Sequence, residues 1–416
     1  MPPFRRPCRI RWMKPSAAAD PNGREPAPAD PILTRGLPSP DEELLLRAAL
    51  LPSEAGVQAW REWNTRVDRD RELPMASQLL FPLLHRNLSR LGCGEVRSGK
   101  TMGVCRRIWW ANQTAFQALS DVLRIFRDAG IPTMLLKGTA LTLRYYKDRG
   151  LRPMGDFDVQ VPVEKRRQAI ELLAQAGWRS KNRTVARLTD AVLGVWHAQA
   201  FEDSRHRPVD LHWHTLSHHL TPDADRDFWA GAQPIDVDGI PSAVLNHTDQ
   251  LIHVCVHGAC AGEVIRVRWV ADALTMLREE GEVVDWSRLL DVAVRRRLTL
   301  PLRRALGYLR ERFDVPVPEH VLREMAGVRV SERERAYYSA VLTDPAGLWG
   351  GGLHLCWCRH RLDLERRGVT RGAASWLGFP RFLQNRQILS NRELLGWVVS
   401  RSYTRFVRGA ERRIRP

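Results

Sequence analysis

The sequence predicts an α+β protein in which a small mixed sheet is flanked by helical N- and C-terminal regions. Three observations point there. Apolar residues recur at helical spacing from about residue 40 to about residue 129. Between residues 131 and 214, short apolar or alternating runs of strand length take over, interleaved with helical stretches. After about residue 236 the helical period returns.

Residues 1–39 are rich in Pro, Arg and Ala without an apolar period, and read as a disordered basic tail. Residues 40–115 form the N-terminal helical region. "DEELLLRAALL" opens a helix after Pro40, with Ser39 or Asp41 as cap, and "ASQLLFPLLHRNLSRLG" gives another. The sheet-bearing core is expected over 116–235. It is entered through "NQTAFQALSDVLRIFRDAG", where Phe116, Leu119, Val122, Leu123 and Phe126 share one helical face and Gly130 ends the helix. "IPTMLL" is a short apolar strand. Lys137-Gly138 breaks it, and "TALTLRYY" resumes as a helix. "DFDVQV" alternates with period two and is a strand. "EKRRQAIELLAQAG" is an amphipathic helix closed by Gly177. "WHAQAFED" and "RPVDLHWH" are strands joined by the polar turn "SRHR". Residues 236–416 form the C-terminal helical region, with "HTDQLIHVCVHGAC", "RWVADALTMLREE", "DWSRLLDVAVRRR" and "LTLPLRRALGYLRERF" as successive helices.

The chain has 416 residues, with 64 Lys plus Arg against 47 Asp plus Glu, a net charge of +17. Such a surface suits a polyanionic partner, whether a nucleoside triphosphate, a nucleic acid or an anionic membrane face. An Arg-rich solvated surface accounts for it equally well. The seven cysteines are odd in number and scattered, so they read as reduced thiols of a cytoplasmic protein. No apolar run reaches the length of about 18 residues that a spanning helix needs.

Asp156 and Asp158 sit in the strand "DFDVQV". Side chains at i and i+2 of a strand share a face, roughly 6.6 Å apart. Phe157, Val159 and Val161 take the other face. Two carboxylates facing together repel unless a cation lies between them. Mg²⁺, with Mn²⁺ as the alternative, satisfies such a pair together with phosphate oxygens. A solvated turn at Gly155-Asp156 is the plainer explanation of an isolated D-x-D. Two neighbours favour the metal. Lys137-Gly138-Thr139 makes a strand-to-helix junction, where glycine lets backbone approach phosphate and the helix N-terminus offers free N–H groups. "VDLHWH" puts Asp210, His212 and His214 on one strand face, and a third carboxylate there completes a two-metal site.

The order of strand, Lys-Gly, helix, Gly-Asp-x-Asp strand and later acidic strand resembles the DNA polymerase β-like nucleotidyltransferase superfamily. "LLKGTALTLRYY", "LRPMGDFDVQV", "AIELLAQAGW" and "VDLHWH" resemble more closely the bacterial uncharacterised nucleotidyltransferase family. So do the helical segments "LIHVCVHGA", "RVRWVADALTML" and "VDWSRLLDVAVRR". The resemblance implies a nucleotidyltransferase with Asp156, Asp158 and Asp210 as catalytic metal ligands. Lys137, Gly138, Thr139, Arg152 and Gly155 would hold the NTP, and Thr139 would stand for the superfamily's usual serine. The acceptor would be a small molecule, a protein side chain or an RNA end. The alternatives are an inactive nucleotide-binding protein of the same fold and a basic nucleic-acid-binding protein.

Arg152 reads either as a phosphate contact or as a structural ion pair. His253 and His257, at i and i+4, read as core or interface histidines rather than as a metal site. Cys356 and Cys358 with His354 and His360 make a weak metal pattern. The Trp- and Arg-rich C-terminal stretches "SWLGFPRFLQNR" and "GWVVSRSYTRF" read as helical packing.

Overall fold

A run of helices, a seven-stranded sheet and a second run of helices follow one another along the chain in the computed structural model. It describes residues 37–386, apart from 68–72, 97–98, 182–183, 218, 260–262, 280, 344–352 and 370–371. Most of the basic tail, and the stretch "GWVVSRSYTRF", lie outside the described residues.

The first described helix, Pro40–Leu50, is capped by Ser39. Ser39 Oγ accepts from the Glu42 amide at 3.3 Å, and Glu42 Oε2 accepts from the Ser39 amide at 2.7 Å. This reciprocal capping box fixes where the helix starts. The helix Gly99–Asp128 carries the predicted apolar stripe, with Phe116, Leu119, Val122, Leu123 and Phe126 all at most 1% exposed. Gly130 then turns the chain at φ +65°, a conformation glycine adopts without strain.

The strands are β1 (Met134–Leu136), β2 (Phe157–Gln160), β3 (Arg179–Ser180), β4 (Ala198–Glu202), β5 (Pro208–His212), β6 (Gln233–Val237) and β7 (Ile240–Val244). Their order is β3-β4-β5-β2-β1-β7-β6. β2–β5 and β1–β7 are parallel and the other pairs antiparallel, so the sheet is mixed. The sheet runs on to Val244, beyond the span to 235 expected for it. Asp238 and Gly239 both have positive φ, 53° and 82°, and close β6 onto β7 as a two-residue hairpin. That Asp-Gly signal is in the sequence, but the strands around it alternate weakly.

Two large apolar cores form among the described residues, with two smaller clusters in the C-terminal helices. One lies on the face of the sheet that carries Phe157, Val159, Val209, Leu211 and Trp213, packed on the stripe of Gly99–Asp128 and on Ile170 and Leu173. The other joins the flanking regions: Leu45, Trp60, Trp63 and Leu84 share it with Leu251, Val270 and Leu306. The N-terminal helices therefore pack on the C-terminal ones. No helix among the described residues is long and apolar enough to cross a membrane.

Candidate active site

Period two does most of the work of building the site. β2 and β5 are parallel and in register, with Phe157 opposite Val209, Asp158 opposite Asp210, and Gln160 opposite His212. The apolar partners enter the core beneath, which leaves Asp158, Asp210 and His212 on the other face. β1 lies beside β2 with Leu136 opposite Asp158, and Lys137 is the next residue. Lys137 has φ 43°, in the left-handed region, where the strand turns directly into the helix Lys137–Leu141.

These four side chains form one network. Lys137 Nζ donates to Asp158 Oδ1 at 2.6 Å and lies 3.9 Å from Asp210 Oδ2. His212 Nε2 is 3.1 Å from both Asp158 Oδ1 and Asp210 Oδ2, and its Nδ1 lies 3.3 Å from the His214 carbonyl. One ligand atom from each of Asp158, Asp210 and His212 fits within 4.8 Å of the others, so the three could hold a metal ion. Burial alone would raise the Asp158 pKa. The Lys137 ammonium and the His212 hydrogen bond outweigh it and hold the carboxyl well below the usual range. For His212, burial and Lys137 oppose protonation, yet Asp210 and the two carboxylate hydrogen bonds push it up to about 9. Burial likewise works against the charge on Lys137, but Asp158, Asp210 and Asp156 raise its pKa overall. Lys137 Nζ also lies 3.4 Å from His212 Nε2, so the ammonium and the imidazole both stand against the two carboxylates.

Asp156 stands just before β2 rather than in it and is exposed. Asp158 pushes its carboxyl up to about 6. The donor cluster therefore contains His212 where the sequence pattern offered Asp156, although Asp156 lines the same cavity.

Gly138 is needed for close packing. A Cβ there would meet Arg152 Nη1 at 2.5 Å and Met154 Cγ at 3.0 Å. Gly155 is exposed, and a Cβ would meet nothing within 4 Å. Thr139 is fully buried, its hydroxyl has no hydrogen-bond partner among the described residues, and it is not among the residues lining the cavity. Arg152 is 5% exposed and grips Asp272 with both Nε and Nη2 at 2.8 Å. Tyr146 donates to the same Asp272 at 2.8 Å. Asn112, on the long helix Gly99–Asp128, donates to the carbonyls of Arg149 and Arg152 at 2.6 and 2.8 Å and accepts from the Met154 amide at 3.2 Å. It pins the loop that delivers Asp156 to β2. Neither Asn112 nor Asp272 stands out in the sequence. Their partners lie 37 or more residues away, and no local spacing marks them.

The network forms part of the lining of a cavity of about 380 Å³, within the small-ligand range of roughly 300–1,000 Å³. Lys137, Gly138, Arg152, Gly155, Asp156, Asp158 and Asp210 all line it, joined by Arg268 of the helix Glu263–Leu277 and by His197, whose ring stands edge-on to His212. His253 and His257 line it too, stacked with ring centroids 6.1 Å apart. Burial first, then Lys137, push His253 down to about 3 and His257 also well below its usual value. His214, expected on the strand face of Asp210 and His212, instead lies two residues past the end of β5 and bonds Asp225 at 2.8 Å. His354 Nε2 is 3.7 Å from Cys358 Sγ, but His354, Cys356, Cys358 and His360 make no metal-holding group among the described residues.

Comparison with known proteins adds one match. Residues 70–314 match the family described as "Uncharacterised nucleotidyltransferase", more than half of the chain. No curated protein and no solved structure matches the chain. The matched stretch contains all seven strands, Lys137, Asp158, Asp210 and His212. The chain therefore belongs to the uncharacterised nucleotidyltransferase family.

Proposed function

We propose that the protein moves a nucleoside monophosphate from an NTP to an acceptor hydroxyl, using a divalent cation held by Asp158 and Asp210. The observation that carries this reading is the register pairing of those two carboxylates at a cavity, in a chain of a nucleotidyltransferase family. The donor set suits the ion: Asp158 and Asp210 offer the oxygen ligands that Mg²⁺ or Mn²⁺ prefers, and His212 donates to both as an orienting partner. Asp156 adds a third carboxylate at the cavity edge. When bound, the cation supplies positive charge against the phosphates and against the charge developing at the attacked centre.

The acceptor oxygen bonds to the α-phosphorus as the bond from that phosphorus to the bridging oxygen breaks. Pyrophosphate leaves with the electron pair, and the hydroxyl proton passes to Asp210. Lys137 holds the β- and γ-phosphates once Asp158 is balanced by the cation. Gly138 lets the phosphates approach the backbone, and Gly155 leaves the rim open. Arg152, spent on Asp272 through two nitrogens, offers phosphate only its Nη1 edge. Thr139 is given no ligand contact.

The test incubates the protein with each α-labelled NTP, Mg²⁺ and fractions of a cell lysate. Label entering one fraction with pyrophosphate release, and its loss in Asp158→Asn, is the expected result. No transfer from any NTP, or transfer that Asp158→Asn leaves intact, contradicts the reading.

A further inference from the structure

The cavity has a second cationic end that the proposed reaction does not use. Arg359, on the helix Leu353–Arg366, and Arg386, one residue past the helix Gly372–Asn385, both line it. Both lie outside the matched residues 70–314. Arg386 is 8% exposed. It donates Nη1 to the Val195 carbonyl at 3.0 Å and stacks on Trp196, its guanidinium carbon 4.1 Å from the ring centroid. Arg359 donates Nη2 to the Ser217 carbonyl. The Nε of each is buried without a hydrogen-bond partner, and neither has a carboxylate partner among the described residues. Two guanidinium groups are thus held by carbonyls and rings, with no ion-pair partner among the described residues, and the carboxylate charge that acts on Arg386 is that of Asp363. Burial first, and then repulsion from Arg359, push Arg386 down to about 9. A bound anion would relieve both costs.

This end lies across the carboxylates from the phosphate end. Lys137 and Gly138 sit on the β1 side of Asp158, and the charge of Arg268 acts on Asp156 and Asp158. Arg359 and Arg386 hold backbone next to β4 and β5, and both act on His197, which precedes β4. The sheet order β4-β5-β2-β1 sets Asp210 and Asp158 between the two ends. A ligand reaching from one to the other passes over the carboxylates.

We infer that the acceptor is a small phosphomonoester carrying a free hydroxyl, its phosphate bound by Arg359 and Arg386. Two guanidinium groups without an ion-pair partner match a dianion better than a single carboxylate. The near-complete burial of Arg386 and the size of the cavity favour a small molecule over a nucleic-acid strand. The inference rests on the nucleotidyltransferase reading for the word acceptor, while the anion site itself stands on its own residues.

Inorganic phosphate serves as the probe. It is titrated calorimetrically into the full chain with Mg²⁺ and a saturating non-hydrolysable α,β-methylene ATP, which occupies the Lys137 end. The titration is repeated with Arg359→Gln, a partly exposed position whose loss leaves the core intact, and with Arg386→Gln. Phosphate affinity falling at least about tenfold in Arg359→Gln, with ATP-analogue affinity unchanged, is the expected result. Phosphate that does not bind the wild type, or that binds Arg359→Gln equally well, overturns the inference. The analogue titration reports separately on the nucleotide reading: failure there sinks the proposed reaction, and the phosphate comparison between wild type and Arg359→Gln, run without analogue, still decides the anion site.

Discussion

Arg152 and Arg386 are both buried guanidinium groups lining one cavity, and they are held in opposite ways. Arg152 faces Asp272 through two parallel hydrogen bonds of 2.8 Å, and Tyr146 completes the carboxylate. Arg386 has a carbonyl, an indole, the Phe382 ring and an Nε without a hydrogen-bond partner among the described residues. A charge that is balanced inside the protein belongs to the architecture. One that is buried without balance is held ready for something that arrives. The contrast recurs with opposite sign at Glu334, 4% exposed and without an ion-pair partner among the described residues. Burial pushes that carboxyl up to about 7.

Removing the balance from the first arginine should produce the largest effect on stability. Asp272→Ala strands Arg152 in the interior, and breaking a buried pair from one side costs about 3–5 kcal/mol. Urea unfolding should show that loss, and a midpoint equal to wild type would mean that the pair is not part of the architecture.

Lys137→Ala separates the balancing role from the ligand role at the carboxylates. A charge-assisted contact is worth roughly 1.5–3 kcal/mol, so NTP affinity at saturating Mg²⁺ should fall about ten- to a hundredfold. Unchanged affinity would confine Lys137 to neutralising Asp158 in the metal-free protein.

Glu334 gives a pH signature. Its folded pKa lies above the ordinary 4.5, so the folded state holds the proton more tightly than the unfolded state. Stability therefore declines as pH rises from 4.5 to about 7, and the cost is complete above that. Glu334→Gln should be more stable than wild type at pH 8, by on the order of 1–3 kcal/mol, and no more stable at pH 4. Equal gains at both pH values would assign the effect to packing.

Arg386→Met should have the smallest effect. With no carboxylate to strand, its loss removes a carbonyl hydrogen bond and a stacking contact, about 1 kcal/mol together. A loss as large as that of Asp272→Ala would erase the contrast.

Much of the fold could be read along the chain because its signals are local. The stripe from Phe116 to Phe126, the cap at Ser39 and the alternation in "DFDVQV" and "VDLHWH" each need only neighbours in sequence. The pairing of Asp158 with Asp210 follows from period two on adjacent strands. What escaped depends on distant partners. Arg152 meets Asp272 across 120 residues, and His212, legible beside Asp210 on one strand face, reaches Asp158 only because β5 lies in register beside β2. Asp156 falls outside because β2 begins at Phe157, and a strand pattern does not locate its own end to one residue. The left-handed Lys137 is likewise invisible in a residue type that seldom adopts that φ.

On the proposed reading, Asp158 and Asp210 hold a divalent cation on which nucleotide binding depends. Mn²⁺ titration followed by electron paramagnetic resonance, with and without α,β-methylene ATP, tests it without knowledge of the acceptor. The wild type should bind Mn²⁺, more tightly with the nucleotide present, and Asp158→Asn should weaken that binding by at least about tenfold while circular dichroism stays unchanged. Mn²⁺ that fails to bind the wild type, or that binds Asp158→Asn equally well, would contradict that reading.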